Sequence, residues 1–122
     1  MYTSESSEMY LENILVLSQS KETVRAIDIT HYSGYSKPSV SRAMGILKQK
    51  GHILVDDQGH ITLTESGRAI AENILERHRI LTALLVKLGV DPEVAAADAC
   101  KMEHDISDTT FQALKRFADG GN

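Results

Sequence analysis

The chain has 122 residues, with 13 Lys plus Arg against 17 Asp plus Glu, five His, one Cys and no Trp. That length allows one compact unit or two very small ones, and 42% hydrophobic with 25% charged residues is the balance of a folded globular protein, so a disordered polymer and a collagen-like repeat are excluded. A single cysteine excludes an internal disulfide and a C-x-x-C zinc knuckle, so a bound metal would need mixed ligands.

No apolar run approaches the roughly 20 residues of a membrane span. The polar, acidic stretch from Met1 to Glu8 lacks a signal peptide's basic and apolar regions, and a cytoplasmic protein without a membrane partner is expected. The net charge of -4 is unfavourable to a nucleic-acid binder only if it is evenly spread. Residues 21–70 carry seven bases against five acids, and within them Ser33 to His52 holds Lys37, Arg42, Lys48 and Lys50 with no acid. That window is the place for phosphate contacts.

In chain order, Tyr10, Leu11, Ile14, Leu15 and Val16 form the stripe of a first helix over about Ser7 to Leu17, with Met9 and Glu12 three apart on a common side. A short second helix is predicted from Val24 to Tyr32, ended by Gly34. Ser36 caps a third helix, Pro38 lies in its first turn and Gly51 follows its end. Val40, Ala43, Met44 and Leu47 form its apolar face; Ser39, Ser41 and Arg42 point outward. His52 to Asp56 and His60 to Thr64 alternate as a β-hairpin around Asp57-Gln58-Gly59. A long helix then runs from Thr64 or Glu65 to about Leu88, with Ile70, Ile74, His78, Leu81, Leu84, Leu85 and Leu88 in one arc and Glu72, Glu76, Arg77 and Arg79 outside it. Asp91-Pro92 opens a helix reaching toward His104, and Ser107 or Asp108 caps a last one through Phe111, Leu114 and Phe117. The predicted fold is mainly α with a small β-hairpin wing: a winged helix-turn-helix over residues 1–70, then a helical part over 71–122 that pairs with a second subunit to cover its apolar residues.

Two groups of residues carry chemistry. Cys100, Glu103 and His104, at i, i+3 and i+4, share one helix face and can converge on a cation. Taken alone, such a triplet is more often a small buried thiol beside two solvated neighbours. His78 inside the apolar arc adds a fourth candidate, although a lone histidine there is more often a hydrogen-bonded core residue; His31, His52 and His60 are given no metal role and are placed in solvent or near phosphates. The second group is the third helix, whose acid-free, hydroxyl-rich outer face followed by a wing favours duplex DNA over a merely solvated surface. H-E-x-x-H, G-x-S-x-G and glycine-rich phosphate loops are absent from the sequence, which disfavours an enzyme.

Taken together, Glu8-Met9-Tyr10-Leu11, Ser36-Lys37-Pro38-Ser39-Val40-Ser41, Leu63-Thr64-Glu65-Ser66-Gly67-Arg68, Arg77-His78-Arg79, Asp98 to His104 and Ser107-Asp108 resemble the diphtheria toxin repressor and manganese transport regulator family of metal-dependent regulators over nearly the whole chain. The resemblance is to a short form, since the family's third, SH3-like domain has no counterpart in these residues. It implies a principal metal site at Met9, Cys100, Glu103 and His104, and a possible second site at Glu12, His78 and Glu103. In the manganese branch a carboxylate stands at the place of Cys100 and an aspartate at that of Met9. Two ancillary ligands of the iron branch are replaced here by Thr82 and Ala96. A thioether and a thiol favour Fe2+ over Mn2+, with Co2+, Ni2+ or Zn2+ able to substitute in vitro.

The expected function is that of a homodimeric repressor of iron or manganese uptake genes, in which metal binding selects the conformer that fits operator DNA. Ser36, Pro38, Ser39, Ser41 and Arg42 would face the major groove, where Arg42 can donate twice to a guanine, and Lys37 and Lys48 would meet phosphates. A winged-helix regulator indifferent to metal, and a small metalloenzyme or metal-storage protein, are the alternatives.

Overall fold

The computed structural model describes residues 5–120, which separate into two compact units, one up to Glu72 and the other from Asn73. Among the described residues no helix is long and apolar enough to cross a membrane.

The first unit opens with α1 (Glu5–Ser20), which buries Tyr10, Leu11, Ile14, Leu15 and Leu17. α2 (Ala26–Ser33) starts later than the apolar pattern predicts. Val24 is not helical, because its carbonyl accepts from the Ile61 N–H (2.7 Å) and the two residues form a β-bridge. The Asp28 carboxylate instead accepts from the Arg25 N–H (2.9 Å), satisfying an end group that α2 cannot satisfy itself. That bond is the main reason the Asp28 carboxyl lies below its ordinary range. Gly34 ends α2 at φ +79°, the left-handed conformation in which glycine carries no side-chain penalty.

α3 (Lys37–Gln49) begins where the sequence places it: Ser36 Oγ accepts from the Ser39 N–H (3.3 Å), with Pro38 in the first turn. Val40, Met44 and Leu47 are buried. β1 (Ile53–Val55) and β2 (Ile61–Leu63) pair antiparallel with Leu54 opposite Thr62. Asp56 Oδ1 closes their turn, accepting from the N–H groups of Gln58 and His60 (2.9 Å each). α4 (Glu65–Lys87) leaves the hairpin through Thr64, whose Oγ1 donates to the Gly51 carbonyl (2.7 Å) and accepts from the Gly67 N–H (3.2 Å).

Two histidines placed in solvent or near phosphates have internal partners. His52 Nδ1 lies 2.9 Å from Ser66 Oγ, and His60 bridges Arg25 Nη2 (3.1 Å) and Asp56 Oδ2 (3.2 Å). Helix, helix, turn, helix and hairpin make a winged helix-turn-helix, as expected.

The second unit holds α4 from Asn73, α5 (Pro92–Met102) and α6 (Asp108–Ala118), around buried Ile74, Leu81, Leu84, Ala95, Ala99 and Phe111. Asp91 Oδ2 caps α5 through the Glu93 N–H (3.1 Å), and Ser107 Oγ caps α6 through the Thr110 N–H (3.2 Å). Two expectations need correction here. Leu88 lies beyond the end of α4 and is 70% exposed, because the chain turns at Gly89 with φ +103°. Arg77, placed outside the apolar arc, is buried.

Candidate metal centre and nucleic-acid interface

The centre of the second unit is a carboxylate with no access to solvent. Glu103 is 0% exposed, its Oε2 lies 3.1 Å from His78 Nδ1 and its Oε1 lies 3.5 Å from His104 Nε2. Removing a carboxylate from water costs several kcal/mol unless opposite charge or donors compensate. The His78 imidazole supplies a donor to Oε2, His104 stands beside Oε1, and an ion held among the three side chains would supply charge.

The donor set suits a divalent cation, because carboxylate oxygen and imidazole nitrogen are both ordinary ligands for transition metals. A neutral His78 that gives its Nδ1–H to Glu103 keeps the lone pair on Nε2, the arrangement by which carboxylates orient metal-binding histidines. Fit is therefore met by chemistry and burial together.

The local geometry differs from a single helical face. α5 ends at Met102, so Glu103 is the cap residue and His104 sits in the turn that follows. Glu103 N–H makes the last α-helical bond, to the Ala99 carbonyl (2.9 Å), and Asp105 N–H then closes a tighter turn on Met102 (3.1 Å). The carbonyls that a longer helix would use are taken by Arg77, whose Nη1 donates to those of Glu103 (3.1 Å) and Ile106 (2.9 Å). Cys100 lies one turn earlier on α5 and is exposed.

Met9 and Glu12 lie on α1, in the first unit. Met9 Sδ accepts from the hydroxyl of Tyr35 (3.4 Å), whose ring packs at 58° on Tyr10 with centroids 5.8 Å apart. Tyr35 directly precedes the α3 cap, and sequence reasoning gave it no part. Neither Tyr35 nor Arg77 carries a local signal, since these side-chain partners stand 25 to 34 residues away in the chain.

On α3 the outer face is as the spacing predicts: Ser36, Lys37, Pro38, Ser39, Ser41, Arg42 and Lys48 are all exposed. The hydroxyl of Ser36 is occupied in capping and also lies 2.9 Å from that of Ser39, which leaves Ser41 and Arg42 as the more available pair for base edges. Gly45 continues this face three residues beyond Arg42, and a methyl built on it would meet nothing within 4 Å. Folding supplies no reason for a glycine in mid-helix there. Gly45→Ala should raise stability by about 1 kcal/mol, read as a higher urea midpoint; an unchanged or lower midpoint would show that the glycine serves the fold.

The chain thus joins a winged helix-turn-helix with an exposed, acid-free α3 to a second unit built around a buried carboxylate that faces two histidines. Residues 64–120 match the family model described as iron dependent repressor, metal binding and dimerisation domain. An uncharacterised helix-turn-helix-type transcriptional regulator of Methanocaldococcus jannaschii is 31% identical over 118 residues, 95% of this chain and 94% of that protein. The transcriptional regulator MntR of Escherichia coli O6:H1 is 34% identical over 108 residues, 88% of this chain and 70% of that protein. Among solved structures, a manganese-dependent transcriptional repressor in complex with manganese superposes with a TM-score of 0.84 and 28% identity, over 95% of this chain. This chain spans only about half of that one, 53% of its length. The chain belongs to the diphtheria toxin repressor and manganese transport regulator family of metal-dependent transcriptional regulators.

Proposed function

We propose that this protein is a cytoplasmic, homodimeric repressor that binds operator DNA when loaded with a divalent metal, and that its effector is Fe2+ with Mn2+ as the alternative. The observation that carries the reading is Glu103, fully buried with an imidazole nitrogen at each carboxylate oxygen. Glu103, His104 and Cys100 are the proposed ligands in the second unit, with His78 as a further ligand or as the group that orients Glu103. Met9 and Glu12 on α1 keep the roles implied by the resemblance, Met9 as a soft ligand and Glu12 at a second site. When bound, the ion supplies positive charge beside the buried carboxylate.

The choice of iron rests on the sulfur donors Met9 and Cys100, which match Fe2+ better than Mn2+. Dimerisation is supported by apolar residues left at the surface of the second unit, among them Leu88 (70% exposed) and Phe117 (57%), which flank a groove of about 360 Å³ lined also by Leu84 and Lys87. On α3, Ser41 and Arg42 are proposed for base contacts with Ser36, Pro38 and Ser39 beside them, and Lys37 and Lys48 for phosphates.

An operator selected from a random duplex library, titrated anaerobically over a range of salt with and without Fe2+, tests the whole reading. Log affinity should fall linearly with log salt, with a slope of about -0.9 per phosphate contact. Iron should raise affinity by about tenfold or more, within the usual range of allosteric coupling. Salt-dependent binding with no response to Fe2+ or Mn2+ would leave a metal-indifferent winged-helix regulator. Metal binding without duplex binding would leave a metal-storage protein.

A further inference from the structure

Neighbouring residues of α4 hold the two ends of Glu103. His78 meets its carboxylate (3.1 Å), while Arg77 donates from Nη1 to its main-chain carbonyl (3.1 Å) and to that of Ile106 (2.9 Å). The same guanidinium places Nη2 3.6 Å from Asp108 Oδ1 at the start of α6 and lies 5.2 Å from the centre of the Phe111 ring. Its side chain is 10% exposed. We infer that Arg77 is a positioning residue for the metal cluster, acting through the main chain of the turn between α5 and α6. The inference rests on the reading of Glu103 and His104 as ligands.

The physical argument starts from the turn. Residues 103 to 106 lie between α5 and the Ser107 cap of α6, so their carbonyls lack the regular partners of a helix interior. A ligand pair carried on such a turn inherits its backbone freedom, whereas a metal centre needs its donors held within about 0.5 Å of the productive geometry. Arg77 removes that freedom by tying carbonyls three residues apart to one nitrogen. Lysine could not substitute fully. Its ammonium can reach a carbonyl, but it has neither the planar face that lies over Phe111 nor a rigid second nitrogen for Asp108.

The test uses the full chain with Co2+ as probe, comparing the unsubstituted protein with Arg77→Lys and Arg77→Met. Affinity is read by chelator competition and ligand geometry by the visible absorption bands of bound Co2+. Both variants should bind Co2+ about tenfold or more weakly, with bands altered at saturation, and Arg77→Lys should fall between Arg77→Met and the parent. An arginine that merely stabilised the fold would lower the melting temperature and leave the saturated spectrum unchanged, which would overturn the inference. If the unsubstituted chain itself shows no Co2+ bands, the metal reading fails instead. Should neither variant fold, 15N NMR of the unsubstituted chain decides: resolved, slowly rotating Arg77 Nη protons that shift on Zn2+ addition are expected, and a freely rotating guanidinium unmoved by Zn2+ overturns the proposal.

Discussion

Glu103→Gln should nearly abolish the response to metal while preserving side-chain shape. Glutamine keeps the volume of a fully buried side chain but replaces an anionic oxygen with an amide NH2, so one of the two facing imidazoles meets a donor. A loss of affinity of about 100-fold or more is expected, since breaking a buried charged pair commonly costs about 3–5 kcal/mol. Linkage turns this into a thermal measurement. At a metal concentration 100 times its dissociation constant the parent gains about 2.7 kcal/mol of stability, whereas a variant binding 100-fold more weakly gains only about 0.4 kcal/mol. Melting curves with and without Co2+ or anaerobic Fe2+ therefore separate the two proteins. A metal-induced shift equal to the parent's would remove Glu103 from the site.

The second large effect is expected at the junction between the wing and α4. Gly67→Ala should destabilise the chain by about 3 kcal/mol or more, the upper range for an overpacked site. A methyl at Gly67 would stand 2.0 Å from the His52 carbonyl oxygen and 2.9 Å from its carbon, both main-chain atoms with no rotamer to escape into. Nor can the first turn of α4 simply lift away. The Thr64 N–H is bonded to the same His52 carbonyl (3.1 Å) and Thr64 Oγ1 to Gly51 (2.7 Å), so relief would break the junction between wing and helix. Total stabilities of small domains run to about 5–15 kcal/mol, which makes this a severe loss. Urea unfolding monitored by circular dichroism checks it; a midpoint matching the parent's would mean that the junction yields easily.

Much of the fold was legible because its signals are local. Ser36, Asp91 and Ser107 cap helices within three residues of themselves, and Gly34 and Gly89 end helices through their own backbone angles. The hairpin turn is closed by Asp56 on its own loop. The exposed face of α3 follows from the 3.6-residue period alone, and the resemblance that led to the family is built from short runs of this kind.

Other features have partners too distant in sequence for any periodicity to find. A hydrophobic pattern assigns arginine to solvent, so Arg77 was placed outside, although its planar fork and apolar stem can be buried when carbonyls and an aromatic ring receive them. Phe111 and Ile106 do so from 34 and 29 residues away. Beside that clamp α5 ends at Met102, so Glu103 and His104 lie on a turn, where spacing had put them on a helix. Val24 left α2 for a bridge to Ile61, and His52 and His60 found partners from other elements.

Residue spacing thus determined the element order, the capped starts of the helices, the exposed side of α3 and the residue types able to take a metal, because each is written within one or two turns of backbone. Tertiary structure decided that Glu103 has no solvent, that His78 and His104 stand at its two oxygens and that Arg77 grips its carbonyl. Burial and the facing imidazoles arise only when α4 and the turn after α5 pack together. Those two conditions are what single out three ordinary polar side chains as the proposed cation centre.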